Sequence, residues 1–401
     1  MTSNRPLRFA AALSVEPDSA KAERQCLDRL TTELDGARPD LVAVFVSHHH
    51  GASIEELGPR IARALGTNAI VGCTGESIIG GTREVEAEPA LSLWAASLPD
   101  TRVTTFECTA EPHEDERPTF SALPPIGVPS QSSVLLFADP FSFPADDYLR
   151  VMNDRFPGVP VVGGMASGGM GPGQNLLITA DGLRAGGAFG VVLEGGVEVR
   201  SVVSQGCRPV GKPWVVTASH ENLVQKLGGR AAVEVLAETL QNLPTRDRQL
   251  FQRQPFVGLA IDPAKSTFER GDFLVRQIVG VQPQEKAIAV SDVPRRGSTL
   301  QFLVRDADSA SEDLAALMSS QGGGSVEGDA HEAGALLFSC NGRGSRMFTT
   351  RDHDVTKVRG GLHADLPIAG FFAMGEIGPV GKRNFLHAYT ASVAVFRARR
   401  S

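Results

Sequence analysis

The apolar positions of the chain repeat one pattern, in which a short run of β-forming residues precedes an amphipathic segment and a second short run. In the first copy, the run at 41–46 is followed by the segment 54–65, whose apolar residues recur at the spacing of one helix face. A second run at 69–71 passes directly into a turn that starts at Gly72, and a further run at 91–96 follows. This pattern predicts a strand, a helix, a second strand, a glycine turn and a return strand.

The same pattern occurs three times, in copies that span 41–98, 134–193 and 335–396. The turn glycines of the second and third copies are Gly163 and Gly370. Two strands joined by one helix imply a right-handed crossover and parallel pairing, and the return strands are expected to add antiparallel neighbours. We therefore predict an α/β fold with α+β elements, in which helices cover the faces of mixed sheets.

The region between the second and third copies has a different pattern. Helices are predicted at 220–227, 231–243 and 309–318, and strands at 255–260, 273–279, 287–290 and 300–304. The segments 111–133 and 319–332 are predicted loops, because they are rich in proline, glycine or charge. A chain of 401 residues exceeds one ordinary hydrophobic core. We therefore predict two domains, 1–230 with the first two copies and 231–401 with the third.

Composition and charge exclude several functional classes. The net charge is −7 and the basic residues form no stripe, which argues against nucleic acid and anionic membranes as partners. No apolar stretch approaches the roughly 18 residues that suggest a membrane span, and the apolar run at 9–15 predicts a first strand rather than a signal peptide. The five cysteines are scattered without a Cys-x-x-Cys pair, so we expect no disulfides, no structural zinc site and a reducing, cytoplasmic location.

Candidate ligand-binding residues follow the strand ends, because ligands of parallel α/β units bind beyond the carboxyl ends of the strands. The residues that leave those ends or form the glycine turns are Ser47, His48, Gly72, Cys73, Gly75, Glu76, Asp139, Gly163, Gly164, Cys340, Asn341, Gly342, Arg343, Gly344, Gly370, Gly375 and Glu376. A glycine there either admits a ligand close to the backbone or allows a tight exit from the strand. Both interpretations stay open for each glycine, whereas the set as a whole predicts the rim of a pocket.

The third copy carries the most distinctive polar residues. Cys340, close to Arg343, is either a nucleophile or a buried packing residue, and the second role is the commoner one for such a cysteine. If it is a nucleophile, the candidate base is His48 or His387, and His387 is also a candidate ligand-binding residue. Arg343 either binds a ligand carboxylate or phosphate or forms a structural ion pair with Glu376. No motif in the sequence demands an enzyme, and we assign no catalytic residue.

Two further features suggest ligand or metal chemistry. Glu76 and Glu376 each stand in a Gly-Glu pair after a turn, which predicts an acid/base pair, a site for a ligand amine, or simple capping of loop amides. Successive side chains in the run from His48 to His50 point in alternating directions, so one of them can ligate a metal or haem but all three cannot serve one ion. We expect no metal and no cofactor, with haem as the alternative.

Several motifs resemble the FIST family. The segment 71–76, Val-Gly-Cys-Thr-Gly-Glu, resembles the FIST N-terminal domain. Four segments resemble the FIST C-terminal domain, and they lie at 273–280, 338–344, 368–379 and 385–390. The resemblance extends from about residue 41 to residue 396. It implies a sensory module inside the cell, with amino acids as the ligands proposed for the family, although some members resemble haem-bound nitric-oxide sensors.

The residues and the resemblance together predict a sensory protein that binds a small ligand, either an amino acid or a small carboxylate. The alternatives are a haem-binding gas sensor, a Cys-dependent enzyme and an interaction scaffold without a ligand. The sequence shows no kinase, methyl-acceptor or diguanylate-cyclase segment. Signalling is therefore expected to pass through a protein partner or through a homo-oligomer.

Overall fold

The three repeated units predicted from the sequence are present in the structure, a computed structural model that describes residues 7–111, 117–265, 267–321 and 333–399. In each unit, the first strand pairs in parallel with the second strand and antiparallel with the return strand. The prediction of an α/β fold with mixed sheets is therefore confirmed. No helix among the described residues is both long enough and apolar enough to cross a membrane.

The helices and strands have the following bounds. The first unit and the segment before it contain β1 (Arg8–Ser14), α1 (Ser19–Leu34), β2 (Leu41–Ser47), α2 (Leu57–Leu65), β3 (Ile70–Gly75), β4 (Ser77–Gly80), β5 (Arg83–Glu86) and β6 (Leu91–Ser97). The second unit and its flanks contain β7 (Thr101–Cys108), β8 (Ala110–Glu111), β9 (Thr119–Phe120), β10 (Ser132–Ala138), α3 (Ala145–Arg155), β11 (Val161–Met165), β12 (Leu177–Thr179), β13 (Gly182–Arg184), β14 (Ala188–Gly195) and β15 (Val197–Gln205).

The rest of the chain continues this numbering. The middle region contains β16 (Cys207–His220), β17 (Leu223–Leu227), β18 (Arg230–Ala231), α4 (Ala232–Asn242), α5 (Thr245–Arg253), β19 (Phe256–Ala260), β20 (Phe273–Gln282), β21 (Ala287–Val290), β22 (Thr299–Arg305) and α6 (Ala307–Gln321). The third unit contains β23 (Gly334–Cys340), α7 (His353–Gly361), β24 (Ile368–Ala373), β25 (Gly375–Val380), β26 (Arg383–His387) and β27 (Thr390–Ala398). The predicted first strand at 9–15 is β1, and most of the predicted loop 319–332 lies outside the described residues.

The three units exchange strands in a closed cycle. The strand that follows each glycine turn leaves its own sheet: β4 of the first unit pairs with β24 of the third, β25 of the third with β11 of the second, and β12 of the second with β3 of the first. Three six-stranded sheets result, with the orders β1-β6-β2-β3-β12-β13, β26-β25-β11-β10-β14-β7 and β15-β27-β23-β24-β4-β5. Each sheet is therefore built from at least two units, so no unit completes its sheet alone.

Aromatic residues from all three units meet in one core. Phe45, Phe137 and Phe338 lie on β2, β10 and β23, and their ring centroids are 5.6 to 6.3 Å apart. Phe371 of β24 lies within 5.2 to 6.1 Å of each of these rings. All four side chains are fully buried. Since large aromatic side chains contribute strongly to core stability, this cluster accounts for the association of the three sheets.

The turn glycines have a packing role that is common to the three units. Gly72, Gly163 and Gly370 face Val44, Leu136 and Leu337 of the neighbouring parallel strand. A Cβ atom at any of the three positions would lie only 1.8 to 1.9 Å from the carbonyl oxygen of that facing residue. The close approach of two strands therefore explains these three glycines without a ligand.

A second compact unit comprises residues 204–313 together with 387–389. Six of its strands, β16, β22, β19, β20, β21 and β17, form a closed ring of antiparallel pairs. The helix predicted at 220–227 is wrong, because this segment is a turn followed by β17. The apolar residues Leu223, Val224 and Leu227 are compatible with a helix or a strand. The segment forms a strand because it pairs with β16 and β21. The predicted boundary at 230/231 falls inside this unit.

Candidate functional site

A cleft of about 590 Å³ opens where the first and third units end their strands. His48 follows β2, Asn341 follows β23, and Gly168 comes from the loop after β11, so all three repeated units border it. The other lining residues are His49, Glu76, Ser77, Arg83, Glu84, Val85, Glu86, Ala87, Glu88, Ser345, Arg346, Arg351, Asp352 and Phe372. The exchanged strand β4 and its partner β5 form one wall, because the exchange carries this hairpin of the first unit onto the sheet of the third.

The charged side chains of the cleft fall into a paired group and a free group. Arg346 forms an ion pair with Glu76 and donates a hydrogen bond from Nη1 to the Asn341 carbonyl oxygen at 2.8 Å. Glu86 accepts hydrogen bonds from the backbone N–H and the hydroxyl of Ser345, at 2.9 and 2.6 Å. These contacts fix the loop after β23 against the wall of the cleft.

The free group contains charges of both signs. Within the described ranges, the side chains of Arg83, Arg351 and Glu88 form no ion pair and no hydrogen bond. The Oδ1 atom of Asn341 is buried and accepts no hydrogen bond in this part of the chain. The cleft therefore offers two guanidinium groups, one carboxylate and one amide oxygen that are available to a ligand.

The second unit contributes a loop to the cleft. The Ser167 hydroxyl accepts a hydrogen bond from the Glu76 backbone N–H at 2.9 Å and donates one to the Phe372 carbonyl oxygen. The imidazole Nε2 of His48 lies 2.9 Å from the Ser167 carbonyl oxygen. Gly168 has a φ of +98°, and a Cβ atom there would lie 2.2 Å from the imidazole of His48. The predicted residue His48 is thus held by the loop of another unit.

Arg343, which lies two residues after Asn341 of the cleft lining, forms a fully buried ion pair. Its Nε and Nη2 atoms donate to the two carboxylate oxygens of Asp354, at 2.6 and 2.8 Å. Asp354 also accepts from the Ser339 hydroxyl at 2.6 Å and lies 2.8 Å from Nδ1 of His353. The guanidinium lies over the ring of Phe348, 5.1 Å from its centroid. Of the two roles predicted for Arg343, the structural ion pair is present, but its partner is Asp354 rather than Glu376.

Glu84 joins this buried group from the exchanged hairpin. Its Oε1 accepts a hydrogen bond from the backbone N–H of Val355 at 2.8 Å, and its own N–H donates to Asp352 at 2.7 Å. Burial, together with the negative charge of Asp354, raises the pKa of Glu84 to about 8. The hairpin of the first unit is thus bound to the start of α7 in the third unit.

Glu76 and Glu376 do not occupy matching positions. Glu376 on β25 faces Gly164, whereas the residue of β4 that takes the equivalent place is Ile78, which faces Phe371. Glu376 is fully buried and accepts hydrogen bonds from the backbone N–H and hydroxyl of Thr390, at 3.1 and 2.7 Å. Burial raises the pKa of Glu376 to about 8. An acid/base pair of these two glutamates is excluded, because only Glu76 reaches the cleft.

Three of the predicted residues line the cleft, namely His48, Glu76 and Asn341. The others that the structure places away from its lining are Ser47, Gly72, Cys73, Gly75, Asp139, Gly163, Gly164, Cys340, Gly342, Arg343, Gly344, Gly370, Gly375, Glu376 and His387. Several of these have evident structural partners. Ser47 accepts from the backbone N–H of Ala90 at 2.9 Å, and Asp139 accepts from the Ser142 hydroxyl at 2.7 Å. Burial raises the pKa of the Cys73 thiol.

The three consecutive histidines have different surroundings. His50 is buried with Nδ1 2.9 Å from the Ser19 hydroxyl, and His49 lies 3.3 Å from the Ser47 hydroxyl. Only His48 and His49 line the cleft. Within the described residues, no group of three or more His, Cys, Asp or Glu side chains is arranged to hold a metal ion.

Sequence reasoning missed the free charges Arg83, Arg351 and Glu88, and it missed Asp354. Arg83 and Glu88 flank the exchanged hairpin, and their place on the cleft depends on a strand exchange that the local pattern does not encode. Asp354 stands 11 residues after Arg343 with no periodic relation to it. A usable signal was the density of charges at 83–88 and 351–354, within about 15 residues of the predicted strand ends at 71 and 338.

Comparison with known proteins places the whole chain in one family. The family model for the FIST N domain matches residues 40–230, and the model for the FIST C domain matches residues 232–379. An uncharacterised protein of Mycobacterium tuberculosis (strain ATCC 25618 / H37Rv) is 36% identical over 394 residues, which cover 97% of this chain and 100% of that protein. An uncharacterised protein of Mycobacterium bovis is 35% identical over 394 residues, which cover 97% and 99% of the two chains.

Proposed function

The chain belongs to the FIST family, with an N domain followed by a C domain, and from this membership we propose that it is a sensory protein whose cleft binds a small zwitterion of the amino-acid type. FIST domains are generally described as sensory domains that bind small ligands. The cleft volume of about 590 Å³ lies within the range of about 300 to 1,000 Å³ that is usual for small-molecule sites.

One observation carries the proposal: the cleft holds free charges of both signs. A guanidinium fork suits a carboxylate, so Arg351 would bind the ligand's carboxylate. The carboxylate of Glu88 and the unpartnered Oδ1 of Asn341 would accept hydrogen bonds from its ammonium group. A simple carboxylic acid has no ammonium group for Glu88 to bind, so the charges of the cleft favour a zwitterion.

The output of the sensor would pass through contacts with other molecules. The exchanged hairpin 77–86 borders the cleft and also binds the start of α7 through Glu84. A ligand in the cleft would therefore contact the hairpin that links the first unit to the third. We propose that a protein partner or a second copy of the chain detects this change, and that the protein acts in the cytoplasm, where its five buried cysteine thiols stay reduced.

Thermal unfolding with a panel of the twenty amino acids tests the proposal. A ligand that binds only the folded state stabilises it by about 2.7 kcal/mol at 100 times its Kd. We expect at least one amino acid to raise the Tm in a saturable way, and its deaminated acid and decarboxylated amine to raise it less. Glu88→Gln should weaken the binding of the amino acid more than the binding of its deaminated acid.

The matched substitutions are Arg351→Gln in the cleft and Arg63→Gln at an exposed site on α2. We expect the first to abolish the ligand-induced shift and the second to leave it unchanged. A panel without a saturable response, or a response that Arg351→Gln does not alter, would contradict the proposal.

A further inference from the structure

A second cleft in the first compact unit holds three arginine side chains from distant segments of the chain. It has a volume of about 550 Å³, and Arg29 of α1, Arg83 of β5 and Arg359 of α7 line it together with Glu33 and Asp365. We propose that this cleft binds a phosphate group, either as free phosphate or as the phosphate of a small monoester.

The positive charge of this cleft is incompletely compensated. Nε of Arg29 pairs with Glu33 at 2.8 Å, but the other carboxylate oxygen of Glu33 also accepts from the backbone N–H of Ala11. The ion pair of Arg359 with Asp365 is long, at 3.9 Å. Arg83 has no ion pair with any described residue. Three guanidinium groups therefore face two carboxylates, one of which is shared with the backbone.

Two of the arginines also repel each other. Arg359 is half-buried, and burial is the main cause that lowers the pKa of its guanidinium. Asp365 opposes this effect, whereas the positive charge of Arg29 adds to it. A bound anion would oppose this repulsion, because an opposite charge nearby favours the charged form of a guanidinium. Arg359 remains in place because Nη1 donates to the Gly81 carbonyl oxygen at 2.9 Å.

The number of guanidinium groups favours phosphate over a carboxylate. The three arginines approach from two helices and one hairpin, and a carboxylate has only two oxygens to share among them. A phosphate presents oxygens in several directions and accepts paired hydrogen bonds from more than one guanidinium. Ala11, Leu13, Val15 and Pro367 form an apolar wall of the same cleft, which suits the organic part of a monoester.

Isothermal titration with sodium phosphate and with glycerol 3-phosphate, at constant ionic strength and against sodium chloride, tests this site. We expect one saturable site per chain. Tighter binding of glycerol 3-phosphate indicates a monoester that uses the apolar wall, and tighter binding of inorganic phosphate indicates the free anion. Absence of saturable binding of both would overturn the proposal.

Substitutions separate this cleft from the other one. Arg29 lies on an exposed helix face, and Arg29→Gln should weaken phosphate binding at least tenfold. The control Arg63→Gln should leave phosphate binding unchanged. Arg359→Gln is a second test, with its unfolding curve as a check because Arg359 also holds Gly81. Arg351→Gln should leave phosphate binding intact. If Arg351→Gln abolished phosphate binding and Arg29→Gln did not weaken it, the anion would bind in the first cleft, and this inference would be refuted.

Discussion

The second and third units have the same backbone plan but fill the space beyond their first strand in opposite ways. In the second unit, Phe120, Phe143 and Tyr148 form an aromatic cluster with ring centroids 5.0 to 5.7 Å apart. In the third unit, the corresponding space holds the buried pair of Arg343 and Asp354. The aromatic cluster lines none of the clefts described above, whereas Asn341, Ser345 and Arg346, which lie within three residues of Arg343 in the chain, line the first cleft.

The same repeated unit therefore has a purely structural role in the second copy and borders a candidate ligand site in the third copy. An aromatic cluster stabilises through apolar area and needs no partner for a charge. A buried ion pair loses hydration, and it is stable only while both charges and their hydrogen bonds are present. The third unit therefore depends on an exact set of partners, and Asp354 supplies hydrogen-bond positions for Arg343, Ser339 and His353 at once.

The largest expected effect comes from breaking the ion pair. Asp354→Ala leaves the Arg343 charge buried without a partner, and we expect the free energy of unfolding to fall by about 3–5 kcal/mol. The double substitution Arg343→Met with Asp354→Leu removes both charges and should cost clearly less than the single one. Urea unfolding measures both values. A double variant as unstable as Asp354→Ala would show that packing, rather than the unpaired charge, controls this region.

A second prediction concerns what the two units share. Gly163→Ala and Gly370→Ala place a Cβ against the carbonyl oxygen of Leu136 and Leu337, and we expect each to cost about 2–3 kcal/mol or more. Gly360→Ala on α7 is the matched control, because a Cβ there meets no atom within 4 Å and alanine favours a helix. Unfolding midpoints in urea give the comparison. If only one of the two turn glycines tolerated alanine, the units would differ in their strand packing as well.

The smallest expected effect, taken per pH unit, is a change in pH dependence at Glu376, which lies on a strand of the third unit that pairs with the sheet of the second. Its pKa of about 8 in the folded state lies above the ordinary value of 4.5, so the folded state holds the proton more tightly. The stabilising contribution is complete below about pH 4.5 and is lost as the pH rises through about 8. One proton corresponds to a slope of at most about 1.4 kcal/mol per pH unit.

Glu376→Gln should remove this part of the slope, measured as urea stability between pH 5 and pH 8. Glu55→Gln, at an exposed position, should leave the slope as it is. Glu84 contributes in the same direction, because its pKa is also raised, so a residual slope is expected in the Glu376 variant. An unchanged slope in Glu376→Gln would mean that the carboxyl is ionised in the folded protein.

Part of the candidate site was predictable because it lies next to predicted strand ends. His48 and Asn341 follow β2 and β23 directly, and Glu76 follows β3, so the rule that ligands bind beyond strand ends located them. The same rule also selected Gly370, whose lack of a side chain serves strand packing, and Arg343, whose charge is paired with Asp354. Residue type and strand position do not reveal whether a side chain points into a cleft or into a buried network.

The sequence alone determined the three units, their parallel strands and their turn glycines, because these depend on apolar periodicity and on connections within about thirty residues. Only the tertiary structure decided where the strand after each turn pairs. The strand β4 is short and buried along its whole length, and its own pattern does not specify which sheet edge receives it. That pairing brought Arg83, Glu84 and Glu88 to the third unit and so decided the charges of the cleft.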